Sequence, residues 1–250
     1  MKKFQEVTPR QWRSRSLLSF ALFTGLFALG FLGWRTLYSQ PNTAGGTRPL
    51  LRRIFDAESK ASVNLFSQGK EAKTFPLSAA VKNVRVNGDA GMDGILDTTT
   101  WRLFIARAPG DTLTLQLSDI KALPKTEVIF DFKCIEGWDQ VTHWGGVKWS
   151  DFVKHYHLDA AQQKAYTGLK TPDGEYYVGI DKESMMHPQT LLCYEMNGEP
   201  LPQNQGYPLR LIIPVKYGIK HLKRIGTIHF SDDRPADFWA EKGYDYGSGH

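Results

Sequence analysis

The hydrophobic pattern of this chain changes once, near residue 40. Ser16 to Trp34 is an apolar run without a charged residue, and about 20 such residues are enough to cross the hydrocarbon layer of a membrane as a helix. The residues before the run are polar and basic, and Trp12, Trp34 and Tyr38 lie where interfacial aromatic residues are expected. The pattern therefore predicts a basic N-terminus and one transmembrane anchor within residues 1–40.

A cleaved signal peptide is the alternative interpretation of the apolar run. No small-x-small cleavage site follows the run directly, although residues 43–46 read Thr-Ala-Gly-Gly. The sequence therefore favours a retained single-span anchor. Five Lys/Arg residues precede the run and four follow it closely, at positions 35, 48, 52 and 53. The positive-inside rule then favours an N-terminus inside the cell and an extracytoplasmic, periplasmic location for the rest of the chain.

After the apolar run, the pattern separates a linker from a folded domain. Residues 40–48 are rich in Pro, Gly, Thr and Asn, a composition typical of linkers. Residues 52–68 can form an amphipathic helix. We therefore assign residues 41–74 to a linker with this helix and residues 75–250 to the folded domain.

The folded domain consists of short segments with alternating apolar and polar residues. Alternation at period two predicts strands, and apolar residues at helical spacing predict helices. Many short strands and few helices predict an α+β, sheet-rich mixed domain. The predicted strands are 81–88, 101–106, 111–117, 128–133, 175–180, 209–214 and 225–230, and the predicted helices are 117–124, 148–155 (with Ser150 as N-cap) and 159–166.

Composition and charge narrow the functional classes. The chain is 41% hydrophobic and 12% aromatic, which supports a packed core rather than disorder. The net charge of +5 is mildly basic, but no Lys/Arg run is interleaved with aromatic residues as on a nucleic-acid surface. Cys134 and Cys193 are too few for a disulfide framework. One bridge between them is possible in an oxidising compartment, unless a metal occupies Cys134.

The most distinctive stretch follows the predicted strand 128–133. It reads Cys-Ile-Glu-Gly-Trp over residues 134–138 and His-Trp-Gly-Gly-Val-Lys-Trp over residues 143–149. A strand that delivers one thiol to the start of a loop can present a ligand or a nucleophile from a rigid support. The alternative is that Cys134 is a small buried hydrophobic residue, since free cysteine is among the most buried residue types.

These two motifs resemble the molybdenum-ligand segment of the sulfite oxidase superfamily of molybdopterin-dependent oxidoreductases. The Cys-x-Glu-x-Trp form is most similar to the periplasmic methionine sulfoxide reductases of that superfamily. Sulfite-oxidising members follow the cysteine with Gly-Asn-Arg, and this chain has no arginine there. The resemblance spans residues 83–246 and implies the sulfite-oxidase molybdopterin-binding fold. It also implies that the Cys134 thiolate is a molybdenum ligand, a role that suits a soft sulfur donor.

A second segment, residues 208–223, resembles the part of the family fold that binds the pterin and its phosphate. Just before it, Gln205 departs from the family pattern, because relatives carry histidine or asparagine at that position. The alternatives are that Arg210 is an edge-strand cation and that residues 216–224 form a solvated basic turn. The resemblance implies that the cofactor contacts are Asn87, Thr171, Gln205, Arg210, Lys223 and the backbone of His221 and Leu222.

Residues on the substrate side are predicted from their closeness to Cys134 in the sequence. Trp138, with Trp144, can form a wall over the metal, or can fill the core, which is the commoner place for tryptophan. Glu136 can tune protonation beside the thiol, or can be an exposed loop charge. The resemblance therefore gives Cys134, Trp138 and Glu136 as the candidate catalytic residues.

The sequence thus predicts a membrane-anchored molybdenum-cofactor oxidoreductase that transfers an oxygen atom to or from a sulfoxide or sulfite-like substrate. No Cys-x-x-Cys-His haem motif is present, so we expect a separate electron-transfer partner, such as a haem membrane subunit or a cytochrome. Two alternatives are a membrane-tethered binding module of the same fold without metal and a cysteine-dependent hydrolase that uses Cys134.

Overall fold

The computed structural model describes residues 8–41, 48–51, 53–54, 57–58, 71–86 and 88–249. The chain divides into two compact units, Met1–Glu58 and Ser59–His250. The predicted amphipathic helix over residues 52–68 lies mostly outside the described residues.

The first unit contains a long apolar helix, α1, over Pro9–Ser39. It begins with a capping box, in which Thr8 and Gln11 exchange side-chain and backbone hydrogen bonds. Its 31 residues give a length of about 46 Å, which exceeds the roughly 30 Å hydrocarbon core of a bilayer. None of its residues is buried in the structure. Its length and composition suit a membrane span, and equally a signal sequence near the N-terminus.

The second unit contains two five-stranded sheets. In chain order the strands are β1 Leu103–Ala108, β2 Asp111–Leu115, β3 Thr126–Lys133, β4 Asp139–Lys148, β5 Tyr166–Lys170, β6 Tyr177–Asp181, β7 Leu191–Met196, β8 Glu199–Pro200, β9 Arg210–Ile212 and β10 Thr227–Ser231. The short helices are α2 Leu117–Lys121, α3 Trp149–His155, α4 Asp159–Gln162 and α5 Lys182–Met185. The predicted α+β, sheet-rich class is confirmed.

The two sheets differ in the relative directions of their paired strands. One has the order β2-β1-β10-β5-β6, in which β1 and β10 are parallel and the other pairs are antiparallel. The other runs β3-β4-β7-β8, and β9 also pairs with β7. All the pairs of this second sheet are antiparallel. A long hairpin, β3–β4, therefore forms one side of the second sheet.

The β3–β4 hairpin is what positions Cys134. Along β3 the inward residues Val128, Phe130 and Phe132 are buried and alternate with less buried ones, as expected for a strand with one face in the core. The pairing continues to Lys133 opposite Asp139. Residues 134–138 are then the loop of the hairpin, so the thiol lies at the end of a rigid, fully paired strand.

Three sequence-based assignments are corrected by the structure. No strand forms over the described residues of 81–88, because this segment reaches the sheet only through isolated bonds, such as Val81 N–H to the Val141 carbonyl. Its alternation reflects Val84, which packs against the second core. The N-cap of α3 is Lys148, not Ser150. The helix predicted over 159–166 ends at Gln162, because Tyr166 already pairs with Asp181 in the first sheet.

Gly146 gives a test of the close packing between β4 and β7. A Cβ atom at Gly146 would lie 2.2 Å from the Leu192 carbonyl oxygen and 2.6 Å from the Cys193 Cα. Because both atoms belong to the backbone, the strands would have to separate. We expect Gly146→Ala to lower the free energy of unfolding by about 2–3 kcal/mol, the upper part of the range for overpacked cores, as measured by chemical denaturation in detergent.

Gly145 is the matched control for this substitution. A Cβ atom there would lie 3.2 Å from the Glu195 Oε2, which can rotate away, and 3.3 Å from the Glu195 Cβ, a contact that a shift of a few tenths of an ångström relieves. Gly145→Ala should therefore cost less than about 1 kcal/mol. Equal losses from the two substitutions would contradict the close approach of β4 and β7 at Gly146.

Candidate active site

A cavity of about 310 Å³ lies beside the loop of the β3–β4 hairpin, at the lower end of the size range of small-molecule sites. Its lining comes from segments that are far apart in the sequence. They are residues 88–90, the hairpin loop at 134–136, Tyr176, the turn containing 218, 219, 221 and 223, and the C-terminal residues 238, 239, 242 and 244. The predicted site residues Cys134, Glu136, His221 and Lys223 are therefore brought together.

Cys134 begins the tight turn of the hairpin. Its N–H donates to the Trp138 carbonyl at 2.9 Å, and its own carbonyl accepts from the Gly137 N–H at 3.0 Å. Gly137 has φ +88°, which favours glycine at this position of the turn. The thiol is only 4% exposed, although it lines the cavity.

Neighbouring groups shift the pKa of the Cys134 thiol in opposite directions. Burial raises its pKa, and the charge of Glu136 adds to this effect. The backbone N–H groups of Glu136 and Ile135 and the charge of Arg85 lower the pKa in part. The pKa stays above its ordinary value, so the free thiol keeps its proton at neutral pH. A bound metal would replace that proton, since a coordinated thiol is deprotonated.

Arg210, on β9, is a fully buried cation. Its Nη1 donates to the carbonyl oxygen and to the side-chain Oε1 of Gln205, at 2.9 and 3.0 Å. Its Nε and Nη2 have no hydrogen-bond partner among the residues that the structure describes. Burial lowers the pKa of Arg210 to about 10, so the guanidinium is charged at neutral pH. It is not part of the cavity lining, and it lies against the rings of Trp144 and Phe132.

Lys223 carries positive charge at the cavity itself. Its Nζ donates to the Gly88 carbonyl at 2.9 Å and to the Asn204 carbonyl at 3.2 Å. Burial lowers the pKa of Lys223 to about 7, and the charge of Arg210 contributes. Arg210 and Lys223 therefore form one electropositive region behind and along the lining.

Of the neighbouring predicted contacts His221 and Leu222, His221 lines the cavity and Leu222 does not. His221 lines the cavity, and its Nε2 lies 2.8 Å from the Ile213 carbonyl and 3.1 Å from that of Lys216. Leu222 is fully buried in the main core and does not line the cavity. Its N–H donates to the Lys220 carbonyl, and its carbonyl accepts from the Leu211 N–H. The backbone of Leu222 is thus engaged within the chain.

Two other predicted cofactor contacts, Thr171 and Gln205, do not line the cavity. Thr171 is buried, accepts from the Tyr176 N–H at 3.2 Å, and does not line the cavity. Gln205 is also buried; its Nε2 donates to the Val84 carbonyl, and its Oε1 holds Arg210. Asn87 lies outside the described residues.

The tryptophans near Cys134 do not line the cavity. Trp138 stacks on Phe132, with ring centroids 6.0 Å apart, and lies under the Arg85 guanidinium. Its Nε1 donates to Glu136 Oε2 at 3.0 Å, so Trp138 holds the carboxylate that does line the cavity. Trp144 is buried in the second core, and its Nε1 donates to Thr142.

Sequence reasoning missed the aromatic side of the cavity. This side is formed by Tyr176, Phe238, Trp239 and Tyr244, together with Lys242. Burial raises the pKa of Tyr176, and its hydroxyl donates to the Ile219 carbonyl at 2.6 Å. The only sequence signal was a cluster of four aromatic residues within 238–246, in a segment without strand or helix periodicity.

Comparison with known proteins finds one family model and several named relatives that match this chain. The model of the oxidoreductase molybdopterin binding domain family matches residues 90–239. A putative protein-methionine-sulfoxide reductase subunit YedZ1 of Azospira oryzae is 29% identical over 187 residues, which are 74% of this chain and 70% of that protein. The protein-methionine-sulfoxide reductase catalytic subunit MsrP of Xanthomonas axonopodis is 35% identical over 48% of this chain and 41% of its own length.

Two further matches come from proteins with other names. Mitochondrial sulfite oxidase of Mus musculus is 30% identical over 60% of this chain and 32% of its own length. The chain thus spans less than half of the MsrP and sulfite oxidase proteins described here. The crystal structure of the sulfane dehydrogenase SoxCD from Paracoccus pantotrophus aligns with a TM-score of 0.49 at 18% identity, over 67% of this chain and 46% of that one.

The family match includes the hairpin loop that carries Cys134 and most of the cavity lining. It extends over more than half of the 250 residues, and it confirms the resemblance that the cysteine motif indicated. The chain therefore belongs to the family of oxidoreductases that bind molybdopterin.

Proposed function

We propose that this chain is a membrane-anchored molybdenum enzyme that reduces a sulfoxide by oxygen-atom transfer. The observation that carries the proposal is the placement of the Cys134 thiol in one cavity with Lys223, with Arg210 behind it. The names of the MsrP relatives favour a sulfoxide substrate. The Cys-x-Glu-x-Trp motif favours the same choice over sulfite.

The residues of the cavity fit a cofactor that has a soft metal at one end and an anionic group at the other. Cys134 supplies a sulfur donor of the kind that molybdenum prefers. The Nε and Nη2 atoms of Arg210 are fully buried and have no hydrogen-bond partner among the described residues, and a buried donor without a partner is costly unless a ligand satisfies it. We therefore assign Cys134 as the metal ligand and Lys223, at the lining, as the contact to the anionic part, with the buried Arg210 guanidinium behind the lining as a second positive charge.

The bound cofactor supplies the two-electron redox chemistry and the site of oxygen transfer. The protein itself must bind and orient the substrate and supply protons. Reduction of a sulfoxide to a sulfide takes up two electrons and two protons and releases water. Glu136 presents a carboxylate to the cavity, held at Oε2 by Trp138. We assign it to proton delivery to the departing oxygen.

The aromatic residues serve the substrate rather than the metal in this proposal. Phe238, Trp239 and Tyr244 offer apolar ring surfaces in the cavity, and thioether-type sulfur packs favourably against aromatic rings. The Tyr176 hydroxyl is held by the Ile219 carbonyl, which fixes its ring at the lining. Together they can orient an alkyl sulfoxide and exclude water from it.

The hydrolase alternative receives no support from the site. A nucleophilic cysteine needs a lowered pKa, whereas burial raises the pKa of Cys134. A metal ligand does not need that activation, because the metal itself displaces the proton.

Membrane attachment and an electron partner complete the proposal. Helix α1 would anchor the chain, with the second unit in the periplasm, because the positive-inside rule and the resemblance of the Cys-x-Glu-x-Trp motif to periplasmic methionine sulfoxide reductases favour that side. Electrons would come from a separate protein, such as a haem membrane subunit. The Azospira relative is itself named as a subunit, which agrees with a reductase of more than one component.

Replacing the metal ligand should abolish turnover without unfolding the chain. We expect Cys134→Ser to lose at least about 99% of viologen-driven sulfoxide reduction, as losses of a directly acting group commonly do, and to lose molybdenum. The measurements are molybdenum per chain by mass spectrometry and turnover with a reduced viologen dye. Circular dichroism should be unchanged.

Cys193→Ser is the matched control. Cys193 is fully buried away from the cavity, and its Sγ donates to the Glu195 carbonyl at 3.1 Å, a bond that serine can keep. This variant should retain molybdenum and turnover. Wild-type activity in Cys134→Ser would remove Cys134 from the metal site.

Cofactor binding should depend on pH through Lys223. Its pKa in the ligand-free fold is about 7, below the ordinary 10.5, so the ammonium is lost as the pH rises through 7. Affinity of the cofactor-free chain for the cofactor should then fall by up to about tenfold per pH unit above 7. Lys223→Arg should flatten this dependence, since a guanidinium stays charged. Cofactor uptake measured between pH 6 and 9 tests this.

The lowered pKa of Lys223 makes the ligand-free fold more stable as the pH rises, whereas it makes cofactor binding weaker. The unfolded chain keeps the Lys223 proton up to its ordinary pKa of 10.5. The ligand-free fold therefore gains stability from this group as the pH rises from 7 toward 10.5.

For the uptake experiment, cofactor uptake by the wild type that does not change across pH 7 would contradict the assignment of Lys223 to the anionic contact.

The anchor prediction is tested by the fate of residues 1–40. A retained α1 should keep the full-length chain in the membrane pellet after alkaline carbonate extraction, and the intact mass should include the apolar run. A mass that lacks α1, with the chain in the periplasmic extract, would identify the helix as a cleaved signal sequence instead.

A further inference from the structure

A buried ion pair, Lys220–Asp237, lies directly behind the cavity. The two side chains are 1% and 2% exposed. The Lys220 Nζ donates to Asp237 Oδ2 and to the Gly179 carbonyl, the latter at 3.2 Å. The ring of Tyr246 lies 4.4 Å from the same ammonium. Neither member of the pair lines the cavity.

Each member of the pair is the immediate chain neighbour of lining residues. Gly218 and Ile219 precede Lys220, and Phe238 and Trp239 follow Asp237. The ion pair therefore joins the turn at 218–219 to the C-terminal wall of the cavity, which we define as residues 238–244. Tyr176 links the same two stretches from the cavity side, through its bond to Ile219 and its ring contact with Phe238.

The C-terminal wall has little regular structure to hold it in place. Between β10 and residue 249 the structure has one short 3₁₀ helix, Ala240–Lys242, and one isolated bridge, between Lys216 and Gly249. The wall is tied to β6 by the Phe238 N–H, which donates to the Tyr177 carbonyl, and by the Tyr177 hydroxyl, which donates to Glu241. The Asp237 carboxylate adds the buried connections. It accepts from the Gly179 N–H at 3.1 Å and from the Ala240 N–H at 3.0 Å, besides Lys220.

Stability alone does not account for such a pair. Taking two charges out of water is expensive, and well-packed apolar residues of similar volume are often as stabilising or more so. A buried ion pair does, however, impose one geometry on the segments that it joins, because a displaced partner leaves an unsatisfied charge. That constraint acts here between two parts of the cavity lining.

We propose that Lys220 and Asp237 are positioning residues that fix the C-terminal wall against the turn at 218–219 and so set how closely the cavity fits its substrate. The inference deepens the proposed function, and only its kinetic test rests on that function.

The same turn contains a matched control pair. Lys216 Nζ lies 2.9 Å from Asp181 Oδ2, and the two side chains are 10% and 30% exposed, so this pair is less buried than Lys220–Asp237. Neither Lys216 nor Asp181 lines the cavity, and neither adjoins the C-terminal wall in the chain. Lys216→Met therefore removes an ion pair of the same type, four residues earlier, without releasing that wall.

The first test uses thiol alkylation of the full-length, cofactor-free chain in detergent. Cys134 lines the cavity, whereas Cys193 is fully buried elsewhere and reports unfolding of the domain. In Lys220→Met the unbranched methionine fills the space of the lysine stem. Local opening should then raise the rate of Cys134 alkylation by N-ethylmaleimide by on the order of tenfold. Cys193 should stay unreactive, and both Lys216→Met and Lys220→Arg should behave like the wild type.

The second test is kinetic and uses the molybdenum-loaded enzyme with dimethyl sulfoxide and a reduced viologen dye. Loosened substrate contacts should raise the KM of Lys220→Met about tenfold while kcat changes less than about threefold. A merely structural role would instead lower the active fraction, which reduces kcat and leaves KM unchanged. Lys220→Arg should restore most of the KM.

Three results would overturn the inference. One is a Cys134 alkylation rate in Lys220→Met within twofold of the wild type. Another is equal acceleration in Lys216→Met. The third is a parallel rise at Cys134 and Cys193, which would show that the pair supports the whole fold. If Lys220→Met fails to accumulate, Asp237→Asn is tested by the same criteria. Absence of sulfoxide turnover in the wild type would overturn the proposed function, and the alkylation rates would still decide the role of the pair.

Discussion

The burial of the Arg210 guanidinium is the constraint on which the site depends. A buried charge is costly unless it is paired or hydrogen-bonded, and here Gln205 satisfies only Nη1, while Nε and Nη2 have no partner among the described residues. Burial lowers the pKa of Arg210 but leaves it charged at neutral pH. The fold thus holds positive charge that an anionic, polar ligand would stabilise, and a molybdopterin-binding family supplies such a ligand.

The basic cluster that follows β9 divides into two groups by its partners. Lys216 and Lys220 pair with Asp181 and Asp237, so these charges are neutralised within the chain and fix its geometry. Lys223 and Arg224 donate instead to backbone carbonyls of the loop at 88–94. This second group holds the loop that lines the cavity and places the basic side chain of Lys223 at the lining. One run of the sequence therefore serves both to position the walls and to set the charge of the cavity.

The position of Cys134 was largely predictable from the sequence. The alternation of Val128, Phe130 and Phe132 defines a strand with one buried face, and the turn with Gly137 must follow it. For Trp138 and Trp144 the sequence left open a wall over the metal or a place in the core. Neither lines the cavity: Trp138 stacks on Phe132, and Trp144 is buried in the second core. Closeness in sequence to Cys134 could not show this, since side-chain direction in a turn depends on what the turn packs against.

By itself, the sequence determined the apolar helix, the sheet-rich class, and a thiol at the end of a paired strand. These are consequences of local periodicity, and periodicity is carried by neighbouring residues. Only the tertiary structure decided which residues line the cavity. Its aromatic side comes from Tyr176 and the C-terminal wall, and its loop side is held by bonds such as Lys223 to the Gly88 carbonyl, across 135 residues. Such contacts join segments without periodicity, so no local pattern records them.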